Sequence, residues 1–237
     1  MAVKAILFDF GDTLISTDQF DYDACLSKLH ESILRDGIVV PFQEFRQLYF
    51  QTRDRLYRET EETLEEANFL LRISEILKHF GYAFDETDEK VVRAADAFSE
   101  AFAGQMTMKK YVPTVLKQLR SKYKLGIVSN LAYPPSLMRT LERFDLVKFF
   151  DVIMISGDVG WRKPSPRIFL EALESLEVGA AETVFVGDSL LHDIEGAKKV
   201  GMRTVLVREA LTGEKETESP DAVVSELDEL PVVLESL

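Results

Sequence analysis

The sequence predicts an α/β fold in which a parallel β-sheet carries helices on both faces and a helical insert follows the first strand. Three observations lead there. Short, nearly uncharged apolar runs recur along the chain, as expected of strands covered on both sides. Helix-period patterns lie between them, which calls for right-handed crossovers and parallel strands. Residues 17–104 break this alternation, offering four helix-period segments and no convincing strand.

The first run covers residues 2–8 and ends at Asp9. The insert then shows apolar faces built on Tyr22, Leu26, Leu29 and Ile33, on Phe45, Leu48 and Leu56, on Leu70, Ile73, Leu77 and Phe80, and on Val91, Ala95, Phe98 and Phe102. Gly37–Pro41 and Gly81-Tyr82 interrupt the pattern at two joins. The division expected is therefore 1–16 with 108–237 as the sheet-bearing core and 17–107 as the helical insert. Further runs follow at Lys124–Val128, Val152–Ile155, Val184–Val186 and Arg203–Val207. The helices between them present Leu137, Leu141 and Phe144, then Phe169, Leu173 and Leu176, then Ile194, Ala197 and Val200 on single faces.

Composition narrows the chemistry. The chain has 237 residues, 46% of them hydrophobic and 29% charged, with a net charge of −13. That is the make-up of a globular protein of one or two domains, large enough to bury a core without disulfide or metal staples. Charge is uneven. Residues 16–107 and 209–237 are acidic, with net charges of −9 and −8, whereas residues 108–169 carry +8. A local positive segment suits a small anion, and the overall charge opposes a nucleic-acid partner. No run reaches the roughly 18 apolar residues of a membrane span, and Asp9 interrupts the N-terminal run too early for a signal peptide. A cytoplasmic protein with no membrane partner is the expectation, and whether it is a monomer or a homodimer stays open. A single Cys25 permits no internal disulfide and no multi-cysteine zinc site, so any metal must be held mainly by oxygen. Cys25 itself is expected to pack on an insert helix.

In an open parallel sheet, ligands bind outside the carboxyl ends of the strands. The polar residues there are Asp9 with Gly11, Asp12 and Thr13, then Ser129-Asn130, then Asp188-Ser189 with Asp193. Lys163 lies between the third and fourth strands, in a segment that Pro164 keeps extended and Pro166 turns into a helix. Three carboxylates in one crevice repel one another unless positive charge is supplied. A dication and Lys163 would neutralise Asp9, Asp188 and Asp193 and leave room for a phosphate. An oxygen-only site favours magnesium, which takes few carboxylates together with substrate phosphate oxygens. A carboxylate beside such an ion can attack phosphorus, with the ion, Lys163, the Ser129 hydroxyl and backbone N–H groups of the Asp9 loop stabilising the transferred group.

Four segments in order carry a resemblance to the haloacid dehalogenase-like hydrolase superfamily: Phe8-Asp-Phe-Gly-Asp-Thr-Leu14, Ile127-Val-Ser-Asn130, Lys163-Pro-Ser-Pro166 and Gly187-Asp-Ser-Leu-Leu-His-Asp193. The resemblance implies a Rossmann-like core, with the insert as a helical cap. It also implies a magnesium-dependent phosphatase acting on a small phosphorylated metabolite through an aspartyl phosphate. On the same basis Asp9 is the nucleophile, Ser129 and Asn130 contact the phosphoryl group together with Thr13, Lys163 orients it, and Asp188 and Asp193 hold magnesium directly or through water.

One position departs from that pattern. Where the family's phosphatases usually carry an acid/base Asp two residues after the nucleophile, this chain has Gly11. Its carbonyl can still ligate magnesium, but it cannot exchange a proton. Asp12 either takes that role or bonds loop N–H groups. Three rivals therefore stand beside the phosphatase: a 2-haloacid dehalogenase, a weakly active or inactive binding protein of the same fold, and a phosphoaspartyl receiver domain, which lacks the insert and the late acidic motif. Among other residues, Asp188 and Asp193 are candidates to cap the helix that begins near Leu190, His192 is expected to face solvent, Trp161 and Arg162 touch either the insert, the substrate or their own loop, and Phe42, Phe45, Tyr49, Phe50 and Tyr57 form either a pocket lining or an insert core.

Overall fold

The computed structural model describes residues 2–208 and 219–237. Its centre is a sheet of six parallel strands in the order β3-β2-β1-β4-β5-β6. These are β1 (Ala5–Phe8), β2 (Lys124–Ser129), β3 (Val152–Ile155), β4 (Thr183–Gly187), β5 (Arg203–Val207) and β6 (Ala222–Val224). All four residues of β1 are buried, as its central position demands. The first strand is thus shorter than the apolar run that predicts it, because only Ala5–Phe8 pair with neighbours on both sides.

The chain leaves β1 toward β2 and β3 on one side, then returns to β4 on the other. This reversal opens a crevice at the carboxyl ends of β1, β2 and β4. Helix α5 (Val112–Arg120) precedes β2, α6 (Pro134–Arg143) follows it, and α7 (Ser156–Val159) and α8 (Pro166–Leu176) follow β3. A wide π-type turn over Leu190–Glu195 leads from β4 into α9 (Gly196–Lys199), and α10 (Leu230–Val233) closes the chain. Apolar side chains fill both sides of the sheet. Phe8, Ile127, Leu137 and Val186 belong to one cluster, and Leu7, Val128, Phe169 and Phe185 to the other.

Sequence reasoning misses β6. Its three residues sit at the sheet edge with Val223 exposed, so no extended apolar run marks them. Within the acidic stretch 209–237, residues 209–218 lie outside the described residues.

Between β1 and α5 run four helices: α1 (Tyr22–Arg35), α2 (Phe42–Glu59), α3 (Phe69–His79) and α4 (Glu89–Gln105). Asp21, Asn68 and Asp88 cap α1, α3 and α4 by accepting from backbone N–H groups of the first turn. The four helices enclose an apolar cluster of their own that includes Leu26, Leu29, Phe45, Tyr49, Ile73 and Phe98, joined by Tyr133 from the loop after β2. Cys25 is buried in it. Two of these faces differ from the expected ones. Tyr49 is buried on α2 where Leu48 is only half-buried, and α3 turns Phe69, Arg72 and Ile76 inward beside Ile73 and Leu77.

The insert and the sheet-bearing part are strapped together at one edge. Arg162 donates to the Thr60 hydroxyl and carbonyl and to the Glu65 carbonyl, while its own N–H reaches the Leu64 carbonyl at 2.9 Å. Trp161 pairs with Glu65 beside it and stacks its ring under the Arg167 guanidinium. Of the roles open to them, Arg162 displays contact with the insert, and Trp161 displays both that contact and packing within its own segment. No helix among the described residues is long and apolar enough to cross a membrane.

Candidate active site

Asp9 continues the sheet by one residue, its N–H donating to the Val186 carbonyl at 2.8 Å. Its carboxyl therefore projects from the end of a rigid central strand. The chain then reverses tightly, with Leu14 and Ile15 both donating to the Phe10 carbonyl and Asp12 adopting a positive φ of 52°. That backbone turns the Asp12 side chain toward Thr17, whose N–H and hydroxyl donate to it at 2.9 Å and 2.7–2.8 Å. Of the two roles weighed for Asp12, the structure displays bonding of loop donors.

Lys163 enters from the loop ahead of α8. Its ammonium is 2% exposed and donates to Asp9 Oδ1 at 2.5 Å and Asp193 Oδ1 at 2.7 Å. Asn130 fixes the backbone that carries it: the carboxamide oxygen accepts from the Lys163 N–H at 2.7 Å and the carboxamide nitrogen donates to the Lys163 carbonyl at 2.9 Å. Both ends of the carboxamide are thus engaged, at a residue for which the resemblance implies a phosphoryl contact. Ser129, at the end of β2, is buried at the rim of the same crevice.

Asp188 and Asp193 come from β4 and the wide turn behind it. Asp193 is 1% exposed, and its second oxygen accepts from the Ser189 N–H at 2.9 Å. Gly187 makes this possible, because a Cβ there would lie 2.4 Å from Asp193 Oδ2. Ser189 caps the turn by accepting from the His192 N–H, so Asp188 is not the cap. Carboxylate oxygens of Asp9, Asp188 and Asp193 all lie within 4.8 Å of one another.

The electrostatics of this cluster are unbalanced. Burial, reinforced by Asp193, pushes the Asp9 carboxyl up to about 7 even though Lys163 pulls the other way. Asp188 is pushed up to about 6, again first by burial and then by Asp193 and Asp12. Burial alone would lower Lys163, but the two carboxylates outweigh it and hold the ammonium above its ordinary value. Three acids against one cation form a site that gains from a further positive charge.

A cavity of about 420 Å³ opens over the cluster. Gly11, Ser129, Asn130 and Lys163 line it with the acids, and Phe102 of α4 and Thr17 close it from the side of the insert. Phe102 and Thr17 escape sequence reasoning, since nothing in a helical apolar face or a loop threonine marks its partner. His192 is exposed, yet it stands at the mouth of this cavity with Nδ1 3.1 Å from the Ser189 hydroxyl. Thr13 is not brought to the site. Its buried hydroxyl, without a hydrogen-bond partner among the described residues, borders a separate cavity with Lys109 and Glu226, because the reversal after Asp9 carries it to the far side of the loop.

Comparison with known proteins agrees with this geometry. The haloacid dehalogenase-like hydrolase family matches residues 6–207. The chain is 30% identical to the glyceraldehyde 3-phosphate phosphatase of Pyrococcus furiosus over 99% of its own length and 93% of that protein's. It is 32% identical to the enzyme of the same name from Methanopyrus kandleri, over 93% and 91% of the two chains. Among solved structures, the 2-haloacid dehalogenase of Pseudomonas syringae superposes with a TM-score of 0.78 at 27% identity, covering 99% of each chain. With four motifs converging at the ends of β1, β2 and β4 and a family match spanning nearly the whole sequence, the chain belongs to the haloacid dehalogenase-like hydrolases.

Proposed function

We propose that this protein is a magnesium-dependent phosphatase of small phosphomonoesters, with Asp9 as the attacking group and the α1–α4 insert, residues 17–107, as the cap over its active site. The convergence of Asp9, Asp188 and Asp193 within 4.8 Å around a buried lysine carries the reading. The phosphatases among the relatives support it, and their names favour a small phosphorylated metabolite as substrate.

The donor set fits magnesium. It is all oxygen, and two of its carboxyls are held up to about 7 and about 6 where, among the described residues, Lys163 supplies the counter-charge. Asp9 and Asp188 would hold the ion with the Gly11 carbonyl, whereas Asp193, already committed to Lys163 and Ser189, would act through water. When bound, the ion supplies charge neutralisation at the phosphoryl oxygens.

The protein's own groups do the rest. The free Asp9 oxygen attacks phosphorus while the bond to the leaving oxygen breaks, giving an aspartyl phosphate and an alkoxide that takes up a proton. Lys163 and the Ser129 hydroxyl donate to the equatorial oxygens as charge spreads over them. Water then attacks phosphorus, releasing inorganic phosphate and restoring the Asp9 carboxylate. No carboxylate stands at position 11 to supply the proton, and Asp12 is held by Thr17. Substrates with good leaving groups should accordingly react best.

The test is hydrolysis of 4-nitrophenyl phosphate in magnesium. Turnover is expected to vanish in Asp9→Asn and on chelation, and full activity in either case would reject the mechanism.

Gly11 and the similarity to the dehalogenase structure favour one second reading, attack of Asp9 on carbon in a 2-haloacid. Halide release that continues with chelator present would establish it.

A further inference from the structure

We propose that a second cavity, between the helical insert and the loop after β2, is a subsite for a carboxylate carried by the substrate at the end remote from phosphorus. The proposal rests on the phosphatase reading for the identity of the first group and deepens it by naming the class of substrate. The cavity has a volume of about 480 Å³ and shares Phe102, Asn130 and Leu131 with the cavity over the acids, so one small molecule could occupy both.

Its polar wall includes Arg72, Tyr22 and Tyr57, together with the Arg53–Asp54 ion pair. Arg72 is 2% exposed on α3, and among the described residues it forms no ion pair. Nη1 donates to the Tyr49 hydroxyl at 2.9 Å, while Nε and Nη2 are buried with no hydrogen-bond partner. The rings of Tyr49, Phe69 and Tyr57, with centroids 5.2, 5.5 and 5.8 Å from Cζ, provide cation–π attraction, and the neutral Tyr57 hydroxyl stands close enough to interact with the guanidinium, but none of them supplies an anion. A guanidinium cannot shed its charge, and burying one without an anion is costly. Asp54, the acid among the described lining residues, and Glu66, which bonds Tyr57, both already have partners. Asp54 is paired with Arg53 at 2.7 Å, and Glu66 accepts from the Tyr57 hydroxyl at 2.8 Å.

Hydrogen-bond direction then points to the ligand. Arginine only donates, so the Tyr49 oxygen accepts from Arg72. Tyr49 is fully buried, and its other polar contact is the Tyr22 hydroxyl at 2.7 Å, which must therefore receive the Tyr49 proton. The hydrogen of Tyr22 is left over, on a half-buried residue that lines the cavity. A donor polarised from behind by a fixed positive charge calls for an anionic acceptor. The two arginines and the one aspartate of the described lining sum to one positive charge, which matches the single charge of a carboxylate better than the double charge of a second phosphoryl group. Phe69, Phe98 and Tyr133 provide an apolar lining for the carbon chain between the two ends.

The test is calorimetric binding, in excess magnesium, of non-hydrolysable alkylphosphonates of graded length, each compared with its ω-carboxyl counterpart and with the matching alkane bisphosphonate. At one chain length the carboxyl compound should bind about tenfold tighter than the plain alkylphosphonate, a difference of the size set by one buried polar contact. That ratio should fall toward one in Arg72→Met and in Tyr22→Phe. Tyr22→Phe removes a single oxygen and decides the matter if Arg72→Met fails to fold. Equal binding at every length, an advantage that survives Tyr22→Phe, or tighter binding of the bisphosphonate would overturn the assignment. Phosphonate binding requires no turnover, so failure of the phosphatase reading would appear separately, as absent hydrolysis of 4-nitrophenyl phosphate.

Discussion

The carboxamide of Asn130 grips the backbone of Lys163 at both its N–H, 2.7 Å away, and its carbonyl, 2.9 Å away. A lysine chain is flexible, and its ammonium can meet Asp9 and Asp193 together only if its own backbone is fixed. Asn130→Ala should therefore leave two backbone groups poorly partnered, at a cost of about 1–3 kcal/mol. Misplacement of the ammonium should lower kcat on 4-nitrophenyl phosphate about tenfold to a hundredfold. Thermal unfolding and steady-state kinetics measure the two effects, and an unchanged kcat would deny Asn130 a positioning role.

A side chain fits at Gly11, where a Cβ would meet only the Thr17 methyl at 3.9 Å. Gly11→Asp should place a proton donor beside the leaving group, and general acid catalysis contributes roughly 10²–10⁴ in rate. The gain should be larger for alkyl phosphates than for 4-nitrophenyl phosphate, whose leaving group needs little help. Equal effects on both would remove this account of the missing acid.

Metal-free stability should depend on pH with a defined sign. The Asp9 carboxyl titrates at about 7 when folded against 3.8 ordinarily, and that of Asp188 at about 6. Over that interval the folded chain holds protons that the unfolded chain has released, so its stability is full below the ordinary value and declines as pH rises toward the folded one. Tm of chelated protein should fall between about pH 4 and 7, while magnesium, by binding the ionised form, should raise Tm more at the upper end. A magnesium shift that does not vary with pH would contradict the assignment of these acids to the ion.

The Cys25 thiol is pushed up to about 12, first by burial and then by Asp21, against a hydrogen bond from Gln105. At pH 8 the thiolate is scarce and enclosed, so iodoacetamide should label the native protein at least about a hundredfold more slowly than the unfolded chain. Comparable rates would show that α1 opens readily.

What the sequence discloses follows from how each residue meets its surroundings. β1, β2, β4 and β5 are legible because strands buried on both faces must be apolar throughout, and their polar ends stand out against that background. β6 is not, since three residues at an edge need no such pattern. Asp9 and Asp188 are readable as acids at the ends of apolar runs, and Lys163 and Asp193 by the segments that carry the family resemblance. The grip of Asn130 is hidden by the 33 residues that separate it from Lys163, and Asp12 by a backbone turn of positive φ that no composition announces. Arg72 is the least legible: a lone cation among apolar helix positions reads as a solvent-facing residue, and only the packing of α2 against α3 turns it inward.

The central placement of β1 has a consequence for synthesis on the ribosome. Asp9 emerges early but meets Lys163 across 154 residues, and Asp193 lies a further 30 beyond that lysine. Contacts so remote in sequence form late. A nascent chain halted before β4 would have all four insert helices translated and yet hold only one of the three acids, so the three meet only after Asp193 has been translated.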